Sequence, residues 1–347
     1  MKTKTRLNIT NGDSAVSKLR AAGVPGEIIP WNDVLHEGPV NAALSLHDLS
    51  ELRALFISER GWDDFAHVSG SFGQRDRTLA SLERFEEIVL WFEEDLYDQL
   101  QLLQLLDFFS RSSDRKARLS MILVVGYLAS LTPSALAELE PKRASITPAQ
   151  LELGQRAWRA FGSADPSAVE RIAAEDTSAL RFLSAALTRH LEEFPDSRSG
   201  LSRSEAEALK AIESGHTTPV AAFLEVARQQ KSIFLGDIVF YWYLERMSDS
   251  ETPLVTWKDG SRVVAPRGKE DSREFVTGEL AVTDVGRQVL AGKRDWQSLN
   301  RNSRWLGGVE IKPGTGGWRW DSAANALVHP GTGAAKEKTP GSTPRKS

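Results

Sequence analysis

Apolar and polar positions alternate in short blocks from the start of the chain. LNIT at 7–10 predicts a strand closed by Asn11-Gly12-Asp13-Ser14, and 15–22 predicts a helix stopping at Gly23. GEIIPW at 26–31 is a second strand, followed by the polar loop NDVLHEGPV at 32–40. Helical runs are expected at 45–60, 77–85 and 95–109, the last with leucines 96, 100, 103 and 106 on one stripe. EIVLWF at 87–92 is a third strand, and SMILVVGY at 120–127 is a fourth, apolar enough to be buried on both faces. Apolar strands separated by helices predict an α/β fold with a mostly parallel, Rossmann-like sheet over residues 1–145.

From Thr147 the pattern turns helical. Thr147-Pro148, Asp165-Pro166 and Thr218-Pro219 each place a capping residue before proline, and Ser202-Arg203-Ser204-Glu205 forms a capping box. Further helices are expected at 177–194 and 235–247. LVTWKDGSRVVA at 254–265 reads as a hairpin turning at Asp259-Gly260. Short helices followed by a hairpin fit a winged-helix-like C-terminal part, and they fit other three-helix arrangements as well. The expected organisation is an α/β domain (1–145), a helical region (146–250), a small hairpin and helix subdomain (251–330) and a disordered tail (331–347) rich in Gly, Pro, Thr, Ser and Lys.

With 347 residues the chain is long enough for two or three domains and a sizeable core. It contains no cysteine, which excludes disulfides, thiolate metal sites, iron–sulfur clusters and a cysteine nucleophile. No run approaches eighteen apolar residues and the start lacks an apolar leader, so no membrane partner and a cytoplasmic location are expected. The net charge is −4, unevenly spread: residues 251–347 hold 16 Lys+Arg against 11 Asp+Glu, the first 250 hold 27 against 36. An acidic front does not favour nucleic acid as the partner.

ITNGDSAVSKLRAAGVPGEIIPWNDVLHEGPV at 9–40 resembles the bacterial family called domain of unknown function 1835, and VLWFEEDLYDQLQLLQLL at 89–106 resembles that family's second signature. The helical region and WLGGVEI at 305–311 look like the family's usual continuation, so the resemblance covers nearly the whole chain except the tail. It implies the domain order. It implies no activity.

Ligands of parallel α/β sheets lie beyond the carboxyl ends of the strands, which here selects the loops 11–14, 32–39 and 93–99. In the second loop His36 lies between Asp33 and Glu37, a candidate acid–base group with orienting carboxylates. Gly38-Pro39 would fix the backbone and Trp31 would offer a flat face; the plain alternative is a loop held by backbone hydrogen bonds. Asn11, Gly12 and Ser14 open a helix suited to an anion, while Asp13 needs a cation beside it for that role or is simply an N-cap. Strand, Gly-Asp-Ser, helix also looks like the nucleophile block of GDSL-type esterases. That family's Asp-x-x-His lies near the chain end, whereas here Asp33-Val34-Leu35-His36 sits on the next loop.

Glu93, Glu94 and Asp95, with Asp98 and Gln99 one turn on, cluster acids after the third strand. Together with His36 and Glu37 they are candidates for a divalent cation such as magnesium or manganese, against the alternative of an acidic helix start that complements the helix dipole. The histidines 47, 67, 190, 216 and 329 read as surface or cap residues, and Arg301, Arg304 and Trp305 as C-terminal packing. Two functions follow as expectations: a hydrolase or transferase acting on a phosphorylated or nucleotide-like small molecule in the sheet crevice, or a ligand-sensing regulator whose C-terminal part binds nucleic acid.

Overall fold

Alternation within the apolar strands sorts the first region into layers. The chain runs β1 (Arg6–Thr10), α1 (Gly12–Ala21), β2 (Glu27–Pro30), β3 (Gly38–Pro39), α2 (Leu46–Glu59), α3 (Phe65–Ala80), β4 (Glu87–Glu93), α4 (Leu96–Arg111), β5 (Arg118–Val124), α5 (Pro133–Leu139) and β6 (Ala144–Ser145). In β4, Ile88, Leu90 and Phe92 enter the larger core, whereas Val89 and Trp91 face a second cluster with Ala15, Val16 and Leu19 of α1 and Leu136 of α5. The sheet is therefore covered on both sides. The computed structural model describes residues 5–112, 116–268, 272–314 and 316–329; the tail expected at 331–347 lies outside them.

The sheet order is β2-β1-β4-β5-β6. The first four strands are parallel, Ile9 lying opposite both Ile29 and Leu90, and β6 adds a short antiparallel edge. This is the expected α/β class with a mostly parallel Rossmann-like sheet. The chain passes from β1 to β2 on one side and then places β4 on the other side of β1. The gap between the carboxyl ends of β1 and β4 is thus the topological switch point, where open parallel sheets bind ligands.

The remainder is α6 (Pro148–Phe161), α7 (Ser167–Ala174), α8 (Leu183–Leu191), α9 (Arg203–Glu213), α10 (Pro219–Gln229), α11 (Asp237–Ser248), β7 (Val255–Trp257), α12 (Arg273–Thr277), β8 (Leu280–Val282), α13 (Asp284–Leu290), β9 (Arg304–Gly307), β10 (Val309–Ile311), β11 (Arg319–Asp321) and β12 (Ala326–Val328). The capping boxes at Thr147 and Ser202 are both formed. One core cluster runs from Leu7 to Trp320 across both expected boundaries. Helix α6 comes so close to α4 that a Cβ on Gly154 would stand 2.5 Å from Leu106. The loop strand β3 pairs in parallel with β9, tying the first region to the last.

Three expectations are corrected. The helix placed at 77–85 is α3, which ends at Ala80; Gly70 and Gly73 hide its apolar stripe of Val68, Phe72 and Leu79. The hairpin at 254–265 does not close on itself. A turn forms, with the Trp257 amide donating to the Ser261 carbonyl at 2.9 Å, but β7 pairs with β8. The chain leaves the turn because Val263 and Ala265 enter the core and the Val263 amide donates to Ser248 Oγ at 2.9 Å. Lastly, α11, the helix a winged-helix reading would lay in a groove, is buried from Val239 to Ser248. It packs the core and has no free face for nucleic acid. Among the described residues no helix is long and apolar enough to cross a membrane.

Candidate functional site

At the switch point β1 ends in Asn11 and β4 in Glu93, and α4 begins directly behind them. Asp95 is the N-cap of α4, its Oδ1 accepting from the Asp98 amide at 3.1 Å. Asp98 folds back over the strand end: its Oδ2 accepts from the Glu93 amide at 2.5 Å, and its Oδ1 accepts from the Asn11 side-chain amide. Glu93 Oε1 in turn accepts from the Leu128 amide at 2.7 Å, and Gln99 Nε2 donates to the Glu93 carbonyl at 2.6 Å. Asn11, Glu93, Asp95, Asp98 and Gln99 therefore form one hydrogen-bonded knot.

Glu93, Asp95 and Asp98 each offer an oxygen within 4.8 Å of the others, and all three are buried. Burial first, and repulsion from neighbouring carboxylates with it (Asp95 acting on Glu93 and Asp98, Glu94 on Asp95), raises all three acids well above the ordinary carboxylate range, Glu93 and Asp95 to about 7. At neutral pH the cluster therefore retains protons. A hard divalent cation suits such a donor set, since it replaces those protons as the neutralising charge. Of the expected ligands, Glu94 is half-buried outside the cluster, and neither His36 nor Glu37 belongs to it.

Helix α1 begins directly after Asn11. Gly12 adopts φ +58°, and a Cβ there would meet only Asn32 Oδ1 at 3.8 Å. Asn11 makes no side-chain cap to α1, so no side chain accepts from the first-turn amides at that cap. Asp13 and Ser14 are exposed on α1, and Asp13 Oδ2 accepts from Asn32 Nδ2 at 3.1 Å.

The 31–38 loop is packed differently from the sequence expectation. Asp33 is buried against Arg53 of α2, whose Nε donates to Asp33 Oδ1 at 2.9 Å. Glu37 is buried against Arg304 and the Tyr243 hydroxyl, which donates to Glu37 Oε1 at 2.5 Å. His36 lies edge-on to Tyr97 and Phe234, and neither ring nitrogen has a hydrogen-bond partner among the described residues. Burial and the surrounding arginines hold its pKa down at about 3, against the pull of Glu193, so the ring is neutral. Asp33 and His36 are not hydrogen-bonded, Ser14 lies out on α1, and no esterase-like triad forms. Trp31 is fully buried, donating to Gln104 Oε1 at 2.9 Å under the Arg75 guanidinium, and offers no face to a ligand. Gly38, at φ +88°, packs where a Cβ would stand 2.5 Å from the Phe56 ring and Arg53.

A cleft of about 310 Å³ opens beside Asp95, lined also by Glu94, Leu96, Arg189, Glu192, Arg203, Lys231 and Ser232. Arg189 and Arg203 are ion-paired, to Glu193 at 2.7 Å and to Glu192 and Glu207 at 2.7 Å. Lys231 has no ion pair among the described residues. The 231–234 segment is held from below by the Tyr127 hydroxyl, which donates to the Ile233 carbonyl at 2.8 Å. Tyr127 follows β5, so the strand-end rule that selected three loops selects this one equally. Arg189 and Lys231 have no such signal: they come from the helical region by tertiary packing.

Among the sequence's remaining histidines, His190 is buried rather than exposed, between Phe161 and Phe194. No protein-family model matches the chain, and no curated protein matches it.

Proposed function

We propose that the chain takes a phosphorylated or nucleotide-like small molecule, together with a divalent cation, in the crevice beyond β1 and β4, and acts on it as a hydrolase or transferase. One observation carries this reading: three buried carboxylates lie within 4.8 Å of one another at the switch point of a parallel sheet, beside an α1 terminus without a side-chain cap. In this reading Glu93, Asp95 and Asp98 hold the cation and Asn11 keeps Asp98 oriented. The first-turn amides of α1 take a phosphate oxygen, and Lys231 offsets further negative charge from the cleft side. A bound divalent cation would supply charge neutralisation and a polarised water. Asp95 lines the cleft as well as the cluster and would face the ligand. His36, Asp33 and Glu37 support the loop from beneath and have no chemical role. The same reading includes membership of the domain of unknown function 1835 family, on the signatures at 9–40 and 89–106. The regulator alternative has less to stand on, because its recognition helix is core.

The test is calorimetric titration of MgCl2 and MnCl2 at pH 7.5, with and without ADP. Expected are saturable cation binding with proton release, ADP binding strengthened by the cation, and loss of both in folded Asp95→Asn. A wild-type protein that binds neither cation at millimolar concentration overturns the proposal.

A further inference from the structure

A second cleft, of about 410 Å³, lies on the other side of the Glu192–Arg203 ion pair, between the loop after α8, helix α9 and the end of α13. Leu201, Leu290 and Trp320 supply apolar wall. Its acids and cations are equal in number, three each, but they are not equally free. Asp196 accepts from the amides of Arg198 and Ser199, both at 2.9 Å, and from Ser322 Oγ at 3.1 Å. Glu192 and Glu207 are both taken by Arg203 at 2.7 Å. Arg198 and Lys210 remain, exposed and without an ion pair among the described residues. Arg198 is set along Gly292, where a Cβ would stand 3.4 Å from its guanidinium.

We propose that this cleft is a second ligand site, separate from the acidic crevice, for an aromatic phosphate monoester. Two unpaired cations match the phosphate dianion, which carries close to two charges above its second pKa of about 6. The apolar wall, including an indole, suits a flat ring, and the volume falls within the usual range of small-molecule pockets, about 300–1,000 Å³. Arginine forks onto phosphate oxygens while lysine acts as a point charge, so the pair divides orientation from neutralisation. No cation is required here, which distinguishes the site from the crevice at Asp95.

Phenyl phosphate titrated by calorimetry at pH 7.5 in EDTA tests this, with phenol and inorganic phosphate as controls. Saturable binding is expected to the wild type, at least tenfold weaker for each control and for each of Arg198→Gln and Lys210→Gln. Asp95→Asn should bind as the wild type does, so failure of the crevice proposal leaves this result untouched. Both cationic side chains are exposed, so neither substitution threatens folding. No binding in EDTA overturns the proposal, as does binding that survives both cation substitutions or is lost in Asp95→Asn.

Discussion

Arg304 and Glu37, 267 positions apart, form a buried pair in which Arg304 Nε donates to both carboxylate oxygens, at 3.0 and 3.1 Å. The same guanidinium reaches Glu193 Oε2 at 3.0 Å and the Glu193 carbonyl at 3.2 Å. The 31–38 loop, the segment after α8 and strand β9 thus meet at one charge. Removing Arg304 strands Glu37 in a dry interior, whereas removing Glu37 leaves Arg304 its contact with Glu193. Arg304→Met should cost about 3–5 kcal/mol of unfolding free energy, and Glu37→Met less. The double variant should cost clearly less than the sum, because Glu37 is no longer left unpaired and Glu193 keeps Arg189 at 2.7 Å. Urea denaturation of the three proteins checks this; strict additivity would mean the two side chains do not act as a pair.

The buried histidines make the fold acid-sensitive. His36 and His190 are each held at about 3, chiefly by burial, against 6.5 when exposed. Between those values the unfolded chain binds two protons that the folded chain does not. Each histidine therefore lowers stability by about 1.4 kcal/mol per unit as pH drops from about 6.5 toward 3, while the raised acids Glu93, Asp95 and Asp98 act in the opposite sense, because the folded chain keeps protons there that the unfolded chain loses above the ordinary carboxylate range. Denaturation midpoints at pH 7, 6 and 5, compared between the wild type and His36→Leu, isolate the histidine part, because the acids are common to both. From pH 7 to 5 the midpoint of His36→Leu, whose ring position is already lined by Tyr97 and Phe234, should rise relative to that of the wild type.

Cation affinity should rise with pH. Glu93 and Asp95 hold protons up to about 7, and a cation must displace them. Magnesium or manganese binding should tighten between pH 6 and 8, with a proton release seen as a calorimetric heat that varies with the ionisation enthalpy of the buffer. A pH-independent affinity would place the cation elsewhere.

Two glycines with positive φ should respond differently to alanine. At Gly38 the left-handed backbone costs about 1–2 kcal/mol, and the collision with Phe56 and Arg53 at 2.5 Å adds about 1–3 kcal/mol. Gly12 has open space around it, so Gly12→Ala should cost only the backbone part. Thermal unfolding should place Gly38→Ala well below Gly12→Ala.

The sheet was legible because the apolar runs of β4 and β5 announce burial on two faces, and the strand-end rule then singles out Asn11, Asp98 and Gln99. Helix α3 was not, since Gly70 and Gly73 weaken a pattern that packing nevertheless completes. The loop 32–37 misled for a definite reason. Asp33, His36 and Glu37 spell an acid–base site locally, and nothing nearby in sequence tells that Arg53 and Arg304 will neutralise the carboxylates.

By itself, then, the chain's pattern determined the four parallel strands of the main sheet, that the sheet is mostly parallel, and which strand ends carry acids, because burial and alternation are local properties of a segment. Which of those acids converge, and which polar residues are sealed into ion pairs, was decided only in three dimensions. Charge compensation and desolvation depend on partners brought from helices and strands as distant as Arg189, Tyr243 and Arg304, and no local spacing encodes their arrival.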